Sequence, residues 1–205
     1  MSKSLSLKSG LAAVALGLAS TLALAQQSPT VRIRGAIEAV DGPVLSIKTR
    51  EGTDVKVRMT DDAAVFAVIK TSLSEIKDGS YIGVTGLPQP DGTQKAIAVH
   101  IFPENQRGAA EGFRPWDRQK DSTMTNATVA QTVKGTDGQN ITVKYKDGEK
   151  KVVVPPDTPI VTFVAGDKSE LKPGAQIIIF GAVKKDDMLE ANRINVGRDG
   201  ITPPM

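Results

Sequence analysis

Leu45-Ser46-Ile47-Lys48-Thr49-Arg50-Glu51-Gly52 and Ile141-Thr142-Val143-Lys144-Tyr145-Lys146-Asp147-Gly148 carry the same pattern in two distant parts of the chain. Each alternates apolar and polar side chains with period two and ends in an acid–glycine turn, the signature of a half-buried strand entering a hairpin. The register continues outward, pairing Val57 with Val153, Asp61 with Asp157 and Val65 with Val161. After a one-residue deletion, Ser74-Glu75-Ile76-Lys77-Asp78-Gly79 falls on Ser169-Glu170-Leu171-Lys172-Pro173-Gly174, and Ala96–Ile101 falls on Ala191–Val196. A period this long describes a duplicated domain, since solenoid repeats are far shorter.

Each copy reads as a run of short strands. Val31, Ile33, Ile37 and Val40 suggest a first strand ending at Asp41-Gly42-Pro43; Val44–Thr49 turns at Glu51-Gly52 and returns through Val55 and Val57. Ala63–Ile69 and Ile160–Ala165 are apolar runs that fit a buried strand or a bend. Ser72 with Glu75, and Asp167 with Glu170, have capping-box spacing, which predicts one or two helical turns closed by Gly79 or Gly174. Tyr81–Thr85 and Lys95–Phe102, joined by Pro90-Asp91-Gly92, complete the unit. The expected fold is all-β with one short helix per repeat: two tandem small OB-like β-barrels. The expected boundaries are 26–103 for the first barrel, 104–121 for a linker and 122–205 for the second.

The order Gly-x-Ile-x-x-Val-Asp-Gly (Gly35–Gly42), Leu-x-Ile-x-Thr (Leu45–Thr49), Leu-Ser-Glu-Ile-Lys-Asp-Gly (Leu73–Gly79) and Val-x-Gly (Val84–Gly86) resembles a bacterial family of exported, OB-like β-barrel domains of unknown function. The resemblance covers residues 31–102 well and 124–196 more loosely, because the second copy lacks the leading glycine pattern. It implies export and a barrel, and no activity.

Residues 1–25 read as a secretory signal peptide. Lys3 and Lys8 supply the positive start, Leu11–Leu24 the apolar stretch, and Ala23-Leu24-Ala25 the small-x-small cleavage pattern. The apolar stretch would reach only about 21 Å as a helix, short of the ~30 Å hydrocarbon core. The expectation is a periplasmic or secreted protein cleaved near Ala25, without a transmembrane segment in the mature chain.

The composition narrows the chemistry. Cys is absent and His occurs once, which removes disulfides, cysteine catalysis and metal sites built on several Cys or His ligands. Once Lys3 and Lys8 are discounted, basic and acidic residues nearly balance, and no segment concentrates the positive charge that phosphate binding requires. Stacking platforms are scarce as well, so nucleic acid is not an expected partner. The single His100 has no Gly-x-Ser-x-Gly elbow beside it, and neither catalytic residues nor a cofactor are expected.

Two groups of side chains remain. Strand alternation puts His100 on the face opposite Ile97, Val99 and Ile101, at the position of Asn195 in the second copy, which reads as a solvated barrel face. Joined to Glu104 and Glu111, His100 would form an oxygen-rich divalent metal site. The linker carries the only tryptophan. Trp116, with Arg114 and Asp117, either anchors a partner-binding loop or packs as a strap in the seam between barrels. Together these observations point to an exported, non-enzymatic binding or structural module of the cell envelope, acting on an envelope protein partner, with a periplasmic divalent-metal-binding protein as the alternative.

Overall fold

A computed structural model describes residues 30–135 and 138–205. The leader reading, residues 1–25 with its cleavage point, lies outside the described residues. The first half of the chain builds β1 (Thr30–Asp41), β2 (Val44–Thr49), β3 (Asp54–Lys70), β4 (Tyr81–Pro88) and β5 (Gln94–Ile101). A connecting segment carries β6 (Gly112–Pro115). The second half builds β7 (Thr123–Gly135), β8 (Gly138–Tyr145), β9 (Gly148–Val154), β10 (Ile160–Ala165), β11 (Gln176–Lys185) and β12 (Met188–Gly197). The all-β expectation holds. The expected short helices are single 3-10 turns, Leu73–Glu75 and Lys168–Glu170. The capping box forms only at the second, where Asp167 accepts from the Ser169 N–H and Glu170 accepts from the Asp167 N–H. At the first, Ser72 spends its hydroxyl on Ser74.

The strands close into two five-stranded barrels, but neither barrel is made from one half of the chain. One runs β1-β2-β3-β12-β11 and returns to β1; the other runs β7-β8-β9-β5-β4 and returns to β7. Both have the OB order first-second-third-fifth-fourth, with the last two strands taken from the other half. The boundaries 26–103 and 122–205 therefore do not separate the two barrels.

The cause lies in β3. Its 17 residues form one strand that stays against β12 through a register shift and as far as Val68, while Phe66–Lys70 pair with β10, so the chain leaves the first barrel only at the end of β3 and goes on to β4 of the second. In the second half the matching path is interrupted at Pro155 and Pro156, which offer no N–H to a ladder, so β9 stops at Val154 and β10 starts at Ile160. The far end of β3 pairs antiparallel with β10, Phe66 with Ala165 through Lys70 with Val161, and this ladder joins the barrels. β10 also pairs in parallel with β5. Gly79 and Gly174, with φ of 84° and 87°, close the two 3-10 turns in a conformation that only glycine adopts cheaply.

Burial follows the exchange. Ile33, Leu45, Ile47, Val57, Ile179 and Ile194 fill the first barrel, and Leu171 from the second half joins them. Ile82, Val84, Val99, Val129, Ile141 and Val152 fill the second, joined by Ile76 from the first half. Each barrel thus takes a plug from the crossing segment that enters it. β1 and β7 both change register midway, between Ile37 and Ala39 and between Val129 and Gln131, so each serves two neighbouring strands. Between the barrels lies a third cluster of Val68, Met124, Val161, Phe163, Ile178 and Met205. Among the described residues, no helix is long and apolar enough to cross a membrane.

Candidate binding cleft between the barrels

A cavity of about 380 Å³ opens at the seam, and it gathers side chains from both halves and from the connecting segment. Its position follows from strand alternation. β5 brings in His100 beside Gly83 of β4 and Val161 of β10. β1 contributes Arg32, β12 contributes Arg193, and β7 contributes Met124 and Asn126. The connecting segment is not an irregular linker throughout. β6 pairs with β7, Gly112 with Asn126 through Pro115 with Thr123, and this edge pairing holds Arg114 and Trp116 against the cavity.

His100 is not on a solvated face: it is only 5% exposed. Its ring lies edge-on to Phe102 at 4.6 Å and to Phe163 at 5.5 Å between centroids. The expectation failed because period-two alternation tells which residues share a face, not what covers that face. Here Phe102 and Phe163, the latter on the β10 strand that joins the barrels, cover it. Burial pushes the imidazole down to about 3, and the charges of Arg114 and Arg193 push the same way, so the ring is neutral at physiological pH. The absence of a side chain at Gly83 makes room for it, since a Cβ there would overlap Cε1 and Nε2 of His100.

The carboxylates expected beside His100 are engaged elsewhere. Exposed Glu104 accepts two hydrogen bonds from Arg107, at 2.6 and 2.7 Å. Glu111 accepts from the backbone N–H of Lys146 at 2.9 Å. Among the described residues, no group of three His, Cys, Asp or Glu side chains is placed to hold a metal ion. The structure does not bring His100, Glu104 and Glu111 together as a ligand set.

The linker residues do converge. Trp116 is half-buried against the seam cluster, 6.3 Å from Phe180 between ring centroids, as the strap reading expects. Arg32 lies over its ring at 3.6 Å, and the Arg114 guanidinium carbon is 5.5 Å from the same centroid. Asp117 sits at the edge of this group and bridges Arg32 at 2.7 Å and Arg34 at 2.8 Å. Burial raises its carboxyl, but the hydrogen bonds from Arg34 and Arg32 outweigh that and bring it down to about 2.

The electrostatics of the cavity are one-sided. Arg32, Arg114 and Arg193 line it, and among the described residues no carboxylate does. Asp117 answers Arg32 from outside the wall. The hydrogen bonds of the other two go to neutral oxygens: Arg114 donates to the Ala110 carbonyl, and Arg193 to the side chains of Gln106 and Asn195. Burial lowers the pKa of both Arg114 and Arg193, a sign that their charge is partly desolvated without a matching anion. Four polar atoms of the wall residues have no hydrogen-bond partner: Arg32 Nε, His100 Nδ1, Trp116 Nε1 and Asn126 Oδ1.

Arg32 and Arg193 were not singled out by sequence reasoning, and Asn126 was not read as part of a binding site. A signal existed: Arg193 is two residues before Asn195, on the strand face that corresponds to His100. Without knowing that this face meets a second barrel, nothing separated Arg193 from an ordinary solvated arginine. Compared with family models, curated proteins and solved structures, the chain matches none.

Proposed function

We propose that this protein is an exported, non-enzymatic binding module of the cell envelope, and that its binding region is the cleft between the two exchanged barrels. One observation carries the reading. The cleft concentrates three arginines, the only tryptophan and a neutral buried histidine around about 380 Å³ of space, and among the described residues no carboxylate lines it. Partly buried charge without an opposite charge costs free energy, so a wall that holds Arg114 and Arg193 and, among the described residues, no carboxylate is one that a ligand completes. The volume is within the range of small-molecule pockets and is concave, which suits a small ligand better than a flat protein partner.

Among the described residues no hydroxyl or carboxylate hydrogen-bonds His100, and with the neutrality of that ring this favours binding over catalysis. The metal alternative finds no support in the placement of His100, Glu104 and Glu111. We read the two halves as copies of one unit, a reading supported by the shared strand order and the matching 3-10 turns. The leader at residues 1–25 supports a periplasmic or secreted location.

Native mass spectrometry of the mature protein, after incubation with the small-molecule fraction of a periplasmic extract, tests the reading. The expected result is a mass adduct on the wild type that is lost in the Trp116→Ala variant. An adduct retained in Trp116→Ala, or none on the wild type, would overturn the cleft as the binding region.

A further inference from the structure

We infer that the cleft takes a small aryl oxyanion: an aromatic ring carrying a carboxylate or phosphate, its charge held by the edges of Arg114 and Arg193 and its ring lying among Phe102, Phe163 and Trp116. The inference rests on the cleft being the binding region and adds the chemistry of what fills it.

Charge gives the first half of the argument. A guanidinium has five N–H donors in one plane and two flat faces. In this cleft the faces are occupied by rings. Arg32 lies over Trp116, Arg114 lies near it, and Arg193 lies over Phe66 at 4.1 Å and near Phe163 at 5.7 Å. Stacking uses a face; of the edge donors, one Nη of Arg114 and the Nε and one Nη of Arg193 bond neutral oxygens, which leaves the remaining N–H groups of each for a ligand. A planar two-oxygen group or a phosphate is what such edges bind in a bidentate way. Both arginines are half-buried, and their hydrogen bonds reach only neutral oxygens, so an incoming anion meets partly desolvated charge that no protein carboxylate has already neutralised. Attraction is stronger there than at a solvated surface.

The walls give the second half. Phe102, Phe163, Phe180, Trp116 and Met124 line the same cavity as the arginines. Tyr81, Phe102, His100 and Phe163 form a continuous series of ring contacts with centroid separations of 5.1, 4.6 and 5.5 Å. These are the separations at which aromatic rings attract edge-to-face or offset, and an added ring can extend the series. A bare inorganic anion would leave this apolar surface wet, and an uncharged ring would leave the arginines unanswered.

Trp116 is the protein's only tryptophan, so its fluorescence reports on the cleft directly. Mature protein is titrated with benzoate, phenyl phosphate, inorganic phosphate, phenol and hexanoate. Saturable change is expected with benzoate or phenyl phosphate, and affinity at least about tenfold weaker for inorganic phosphate, phenol and hexanoate. The tighter of the first two assigns carboxylate or phosphate as the oxyanion. Arg114→Met and Arg193→Met are each expected to weaken binding about tenfold or more, with thermal melting checking that they fold. Should either fail to fold, Arg114→Lys and Arg193→Lys replace them, and loss of the bidentate edge should still weaken binding severalfold.

No saturation by either aryl anion, equal binding of phenol, hexanoate or inorganic phosphate, or wild-type affinity in the arginine variants would overturn the inference. A cationic or neutral ligand found by mass spectrometry and lost in Trp116→Ala would overturn it too, while leaving the cleft as the binding region. An extract adduct that persists in Trp116→Ala removes both.

Discussion

The guanidinium carbon of Arg32 lies 3.6 Å from the centroid of the Trp116 ring, the shortest of the cation–ring contacts around the cleft. Arg32 belongs to the opening strand of one barrel, and Trp116 to the segment that leads into the first strand of the other. The contact therefore ties the connecting segment to a barrel wall, and Asp117 holds the same arginine from the far side at 2.7 Å.

Trp116→Ala removes a half-buried ring and its cation contact together. The expected cost is about 2 kcal/mol, below the usual value for a fully buried tryptophan because part of the ring is already in water. Urea unfolding measures it. In a double-mutant cycle with Arg32→Met, the pair should show a coupling of about 1 kcal/mol, and additive losses would mean the stacking contributes nothing.

Gly83→Ala places a methyl group where the His100 ring lies. The ring is enclosed by Phe102 and Phe163 and cannot step aside freely. A loss of about 2–3 kcal/mol is expected, in the range of overpacked cores. Combining it with His100→Ala should recover much of that loss. A double variant less stable than either single one would show that the glycine serves another purpose.

Stability should fall on mild acidification through His100. Its folded pKa, about 3, is depressed below the unfolded value near 6.5. Below pH 6.5 the unfolded chain takes up a proton that the native ring refuses, so stability is full above pH 6.5 and is lost as pH falls from there toward 3. Between pH 6.5 and 5 the loss is about 2 kcal/mol. Denaturant curves at pH 7 and pH 5 check this, and His100→Asn should flatten the difference. The depressed carboxyl of Asp117, at about 2, acts only in stronger acid and does not mimic this slope.

Separating the halves tests the strand exchange. Residues 30–121 and 122–205 expressed alone each lack two strands of one barrel and three of the other. Neither should give a cooperatively melting monomer, whereas mixing them should restore both barrels as a one-to-one complex, read by size-exclusion chromatography with light scattering. A stable folded monomer from either half would show that β3 or β10 can turn back and close a barrel locally.

Much of this was present in residue order. Alternation in Val44–Thr49 and Ile141–Tyr145, with their acid–glycine turns, determined strands and hairpins, because side-chain period and turn chemistry are properties of a few adjacent residues. The repeated order of elements came the same way, and so did the absence of cysteine chemistry. Tertiary structure decided which strands share a barrel, since one uninterrupted β3 sends β4 and β5 away from β1 and β2. Pairing across such sequence separations depends on whether a single strand bends or runs on, and no local pattern in Ala63–Ile69 distinguishes the two. It also decided that His100 is buried, and that Arg32, Arg114 and Arg193 meet around one cavity. Those side chains lie far apart along the chain and become neighbours only when two barrels press their faces together.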